Sequence, residues 1–160
     1  MRRLAATFAI LTVLTAGCDR GDHPGNIAKP APQFTISDGT NSADLSKLRG
    51  HIVLLNLWAT NCAPCVEELP SLMALQRRMP DIDVIAVSWD EDQAAYDKFL
   101  TRHQLNLLTI RDPSQKIAAL YGTHLIPETY VIDRQGVLRR KFVSAQNWTS
   151  PEIISYLKHL

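Results

Sequence analysis

The chain has few groups with which to hold a metal. Among its 160 residues are three cysteines and five histidines. A structural zinc ion takes four ligands, usually from two Cys-x-x-Cys pairs or from one pair and two close histidines. Here His23, His51, His103, His124 and His159 are scattered and only Cys62 and Cys65 are close, so neither a metal site nor any other cofactor is expected. Charge of one sign is equally scarce. The formal net charge is +1, and it falls to −1 once Arg2 and Arg3 are set aside. That leaves no electrostatic footprint for nucleic acid. The one basic run, Arg139-Arg140-Lys141, falls on an expected edge strand and reads as a solvated face. No apolar run is long enough to cross a bilayer, since Leu4 to Leu14 spans only about 11 residues. A nucleotide-binding motif, internal repeats and low-complexity segments are all lacking. The composition does supply a core: 46% of residues are hydrophobic and 21% charged, ordinary values for a single globular domain.

Arg2-Arg3 and the short apolar run have the form of an export signal, with small residues Ala16-Gly17 before Cys18. Leu14-Thr15-Ala16-Gly17-Cys18 resembles the lipobox of bacterial lipoproteins, although Thr15 stands where that motif prefers Leu. The resemblance implies cleavage after residue 17 and lipidation of Cys18; ordinary signal cleavage, leaving a free thiol, is the alternative. Residues 18–32 are polar and rich in Gly and Pro, and read as a flexible tether. The domain proper is then expected over 33–160, acting as a monomer.

Within it, Gln33 to Ser37 reads as a short strand, and Leu45 to Leu48 as a helical turn. Ile52 to Trp58 is apolar except at Asn56, as in a strand covered on both faces. Val84 to Val87 is a second such run. A helical pattern ending near Met79 lies between them, with Val66, Leu69, Leu72, Met73 and Leu75 on its inward stripe. The unit is therefore β-α-β, with parallel strands and a right-handed crossover. Asp90 to Arg102 reads as a surface helix with Ala94, Ala95, Phe99 and Leu100 inward. Leu107 to Ile110 is a short strand, and Asp112-Pro113-Ser114 starts a helix ended by Gly122. Thr129 to Asp133 and Val137 to Val143 form a hairpin. Ser150 caps a last helix that buries Ile153, Ile154 and Leu157.

The chemistry concentrates in Trp58-Ala59-Thr60-Asn61-Cys62-Ala63-Pro64-Cys65. Two cysteines three apart in the first turn of a helix can close a small disulfide ring. Free N–H groups and the helix dipole at that position favour the thiolate, the species that attacks another disulfide. Cys62 is thus expected to be the exposed nucleophile and Cys65 the resolving thiol. Glu68, three residues on, shares a helix face with Cys65. If buried there it would have a raised pKa and could accept the Cys65 proton; a solvated first-turn glutamate is the alternative. Asn56, on the same strand face as Trp58, is either a satisfied buried amide or part of this proton handling.

This order of elements resembles the thioredoxin-like fold: a central mixed β-sheet flanked by helices, with an extra N-terminal strand region and a helix–strand insertion after the βαβ unit. Four stretches are similar to the TlpA/ResA/CcmG branch of envelope thiol–disulfide oxidoreductases. They are Ala31-Pro32-Gln33-Phe34; Leu55 to Thr60 leading into Cys-Ala-Pro-Cys; Glu68-Leu69-Pro70; and Ile126-Pro127-Glu128-Thr129-Tyr130-Val131-Ile132-Asp133. Asn61 departs from that branch, which usually has Trp before the first cysteine.

The resemblance implies a cis bond at Pro127 facing the disulfide, with Trp58, Ile126, Pro127 and Glu128 contacting substrate. It also implies an extracytoplasmic protein held on the membrane by its lipid. Its clients would be disulfide-bearing proteins, apocytochrome c the most specific of them, and a membrane thiol protein would re-reduce it. Other readings stay open. Cys62, Cys65 and His124 could hold Cu(I). A thiol peroxidase usually needs Thr or Ser where this chain has Ala59. An oxidant or isomerase is not separated from a reductant by Ala63-Pro64.

Overall fold

The computed structural model describes residues 25–160; Cys18 and the expected leader lie outside them. A two-stranded hairpin comes first, β1 (Thr35–Ser37) with β2 (Ser42–Asp44), and a 3₁₀ turn follows at Leu45–Leu48. The main sheet takes β3 (Ile52–Trp58), β4 (Ile82–Ser88), β5 (Leu108–Arg111), β6 (Glu128–Ile132) and β7 (Leu138–Val143). They lie in the order β5-β4-β3-β6-β7. β3, β4 and β5 run parallel, while β6 and β7 are antiparallel to their neighbours, so the sheet is mixed.

β3 is buried along its whole length, which explains its unbroken apolar run. One face of the sheet (Ile52, Leu54, Trp58, Val84, Ala86) packs against Leu69, Leu72 and Leu75 of helix α1 (Ala63–Arg78). The same core takes Tyr96 from helix α2 (Gln93–His103) and Ile153, Ile154 and Leu157 from the terminal helix α4 (Pro151–Lys158). The other face (Val53, Leu55, Leu57, Ile85, Val87, Tyr130) packs against Phe34, Leu45 and helix α3 (Lys116–Tyr121).

Both edges of the sheet are covered. Asn41 Nδ2 reaches Thr109 O of β5 at 3.0 Å, and Asp38 accepts from Arg111 N–H at 3.0 Å. At the opposite edge, Ala28 N–H donates to Leu138 O (2.8 Å), Leu138 N–H to Lys29 O (2.9 Å) and Ala31 N–H to Gly136 O (2.9 Å). Residues 26–31 therefore belong to the fold, although their composition reads as tether. Backbone pairing, which any sequence can make, draws them onto the hairpin and blunts an exposed edge.

Other details differ from the sequence reading. Helix α2 is capped by Asp92, whose Oδ1 accepts from Ala95 N–H at 3.0 Å. That phase turns Ala94 and Ala95 to solvent and buries Tyr96, with Phe99 and Leu100 half-buried. Val66 and Met73 are half-buried at the margin of the α1 stripe. α3 begins at Lys116 rather than at Asp112, because Gln115 takes the left-handed conformation (φ 55°); Asp112 still accepts the Ile117 N–H at 2.9 Å. β2 has no counterpart in the reading, since Ala43 is its one buried residue.

Candidate functional site

The end of β3 delivers the chain to the site through Ala59-Thr60-Asn61. Asp90 pins this connection, accepting from the Thr60 N–H at 2.9 Å and from its hydroxyl at 2.6 Å. Helix α1 then starts with Cys62 as its N-cap and Pro64 in the first turn, where a missing N–H costs nothing. Cys62 and Cys65 are joined in a disulfide. The Cys65 N–H points at Cys62 Sγ from 3.3 Å, so a backbone donor faces the sulfur where negative charge would develop. The two sulfurs differ in access. Cys62 is half-buried, whereas Cys65 is sealed in the core at 0% exposure.

Facing Cys62 is the loop between α3 and β6. The Ile126–Pro127 peptide bond is cis, and Ile126 O lies 3.8 Å from Cys62 Sγ. Among the described residues, neither the N–H nor the carbonyl of Ile126 takes part in a backbone hydrogen bond. An extended segment laid across the disulfide would meet both groups.

Glu68 is buried at 2% exposure. Its Oε1 accepts from Asn56 Nδ2 at 2.8 Å; its Oε2 accepts from the Gln146 N–H at 3.0 Å and Trp148 Nε1 at 3.1 Å. Ser71 closes the pocket by donating to Glu68 O at 2.8 Å and accepting from Trp148 N–H at 3.1 Å. No cation is paired with Glu68 among the described residues. Burial pushes its pKa above the ordinary carboxylate range, and the donors from Gln146, Trp148 and Asn56 offset only part of that. Asn56, 0% exposed, also donates to Thr129 Oγ1 at 2.9 Å, while its own Oδ1 has no partner. Turning that amide over would present an acceptor to Glu68 and Thr129 in place of a donor.

Two expected substrate contacts are placed differently. Trp58 is wholly buried and packs on Phe99 (ring centroids 5.6 Å apart) and Tyr96 (6.2 Å), so it is core rather than a wall open to partners. Glu128 is buried at 5% exposure because its carboxylate is taken up by Lys141 Nζ at 2.7 Å and Tyr130 Oη at 3.1 Å. Lys141 is correspondingly buried at 8%, which corrects its reading as part of a solvated basic face. Arg139 pairs with Asp133, and the Arg140 guanidinium stacks 4.3 Å from the Phe142 ring centroid. His124 is exposed, and no three His, Cys, Asp or Glu side chains among the described residues cluster closely enough to hold a metal ion. Cys62, Cys65 and His124 do not form such a cluster in this disulfide form.

Gln146, Trp148, Thr129 and Lys141 were not visible as site residues in the sequence. The one clue was Trp148, a large apolar side chain in an otherwise polar loop before the Ser150 cap.

Comparison with known proteins agrees with this geometry. A model described as the AhpC/TSA family matches residues 27–141. Over 137 residues the chain is 31% identical to the thiol-disulfide oxidoreductase ResA of Bacillus thuringiensis (strain Al Hakam), covering 84% of this chain and 78% of that relative. It is 33% identical over 121 residues to the thiol:disulfide interchange protein DsbE of Pseudomonas aeruginosa, covering 73% and 66% of the two. It also superposes with a TM-score of 0.72 on a crystal structure described as a DsbE-type thiol:disulfide interchange protein from Chlorobium tepidum. That pair is 27% identical and covers 83% of this chain and 93% of the other. A helix-capping disulfide on this mixed sheet is thus one feature of a wider kinship: the chain belongs to the AhpC/TSA family and is, within it, a thioredoxin-fold thiol–disulfide oxidoreductase of the ResA and DsbE kind.

Proposed function

We propose that the protein reduces disulfides in proteins of the bacterial cell envelope. The observation that carries this reading is the unequal access of the two sulfurs, with Cys62 open beneath Ile126 and Cys65 enclosed beside the buried Glu68 turn. In the dithiol state, the Cys62 thiolate attacks one sulfur of a client disulfide. That bond breaks, the departing client sulfur takes a proton, and Cys62 is left in a mixed disulfide. Cys65 then gives its proton to the Glu68 carboxylate and attacks Cys62 Sγ. The Cys62–client bond breaks, the second client sulfur leaves as a thiolate and takes a proton from water, and the Cys62–Cys65 disulfide holds the oxidising equivalents. Ile126 and Pro127 guide the client backbone past the sulfur.

A membrane thiol protein re-reduces the disulfide, and the cysteines of apocytochrome c haem-attachment sites are the favoured client. An export leader with lipidation at Cys18 would hold the domain at the membrane. Among the described residues no helix is long and apolar enough to cross it.

Two measurements test the reading. The Cys62–Cys65 couple titrated in a redox buffer is expected near or below about −250 mV; a value near about −120 mV would mark an oxidant instead. Cys65→Ser should stall the mixed disulfide and trap the client, whereas Cys62→Ser should trap nothing.

A further inference from the structure

Only two large apolar side chains stand exposed among the described residues, Leu120 at 45% and Leu125 at 73%. A lone surface leucine needs no explanation by itself. Leu125 is set apart by its position. It precedes Ile126, whose carbonyl lies 3.8 Å from Cys62 Sγ, so its Cα is at most about 10 Å from that sulfur.

The loop that bears it is fastened at both ends. Thr123 N–H donates to Ala118 O at 2.8 Å, Thr123 Oγ1 and Tyr130 Oη lie 2.8 Å apart, and Tyr130 Oη donates to Tyr121 O at 3.0 Å. On the far side, Ser144 N–H donates to Pro127 O at 3.0 Å. Leu125 thus stands exposed on a loop anchored at both ends. The exposed side chains next to Cys62 on its own segment are Asn61, Ala63 and Pro64, which are polar or small. Among the described residues, the large apolar side chain exposed nearest Cys62 in the facing loop is Leu125.

We infer that Leu125 is a specificity residue, a hydrophobic anchor that selects client segments carrying an apolar side chain beside the target cysteine. This rests on the reading of the protein as a disulfide reductase. A client whose cysteine bonds to Cys62 and whose backbone pairs with Ile126 places its flanking residue over Leu125. Side chains alternate along an extended segment, so the flanking position, rather than the cysteine itself, turns toward the loop. Covering one leucine on an open surface yields modest selectivity, toward the lower end of what a hydrophobic pocket gives.

The test uses two synthetic peptides, each closed by one Cys-x-x-Cys disulfide, with Leu in one and Ser in the other at both flanking positions. The prereduced protein reduces each in a single turnover. Every rate is divided by that toward 2-hydroxyethyl disulfide, so that changes in thiol reactivity or folding cancel. Wild type is expected to favour the Leu peptide by about 5- to 10-fold. Leu125→Ser should bring the ratio to about 1, and Leu120→Ser should keep it. A wild-type ratio near unity, or a preference that survives Leu125→Ser, would overturn the anchor and leave the reductase intact. If wild type reduces neither peptide, the reductase reading fails and the anchor fails with it.

Discussion

The molecule buries two glutamates beside the two segments that meet at its disulfide, and it treats them in opposite ways. Glu68, one turn after Cys65, is met by three neutral N–H donors and, among the described residues, by no cation. Glu128, one residue after Pro127, is met by the Lys141 ammonium. An ion pair compensates the charge of a buried carboxylate within the fold. Neutral donors in a dry pocket leave the balance between charged and protonated forms near enough to shift. The first arrangement suits a group that must take up a proton, and the second suits a group that fixes structure. Tyr130 adds to the second, its hydroxyl touching Glu128, Thr123 and Tyr121 at once.

Breaking the pair should have the largest effect. Lys141→Met leaves Glu128 buried and uncompensated, and is expected to cost about 3–5 kcal/mol in urea unfolding of the oxidised protein. Adding Glu128→Gln should restore most of that loss. A single variant costing under about 1 kcal/mol would mean that the two carboxylates are not treated differently.

Glu68→Gln should be less damaging to the fold, because the unpartnered Asn56 Oδ1 can turn to accept from the new amide. The sign of its pH dependence follows from the raised pKa. Wild-type stabilisation from protonated Glu68 is complete below the ordinary carboxyl pKa and is lost as pH rises through the folded value. The variant should therefore gain on wild type between about pH 4 and neutrality, as read by thermal unfolding at a series of pH values. A constant difference would place Glu68 in an ordinary solvated setting.

Tyr130→Phe should have the smallest effect, about 1–2 kcal/mol, by leaving Glu128 and the Thr123 hydroxyl one partner short. A loss as large as that of Lys141→Met would shift the weight of the network from the ion pair to the hydroxyl.

The contrast between the two glutamates also explains what could be read from the chain. Cys62, Cys65 and Glu68 lie within seven consecutive residues of one helix start, so their spacing alone places them together. The continuous apolar runs of β3 and β4 likewise announce a covered, parallel core. Glu128 is different, because its partner lies across the β6–β7 hairpin. Lys141 sits directly opposite Tyr130, next to a register shift between Val131 and Ile132 that no local pattern reveals. The shell of Glu68 is closed by Gln146 and Trp148, 78 and 80 residues away in sequence. Docking of residues 26–31 runs through backbone groups, which composition does not register.

The proton path offers the most direct test: the rate at which a preformed Cys62 mixed disulfide with a model peptide resolves, followed across pH in wild type and Glu68→Gln. Wild type should gain rate as pH climbs through a carboxyl pKa above the ordinary range, ahead of the later rise due to thiol ionisation. The variant should lack that first step and resolve at least about tenfold more slowly near neutrality. Superimposable profiles would contradict Glu68 as the acceptor of the Cys65 proton.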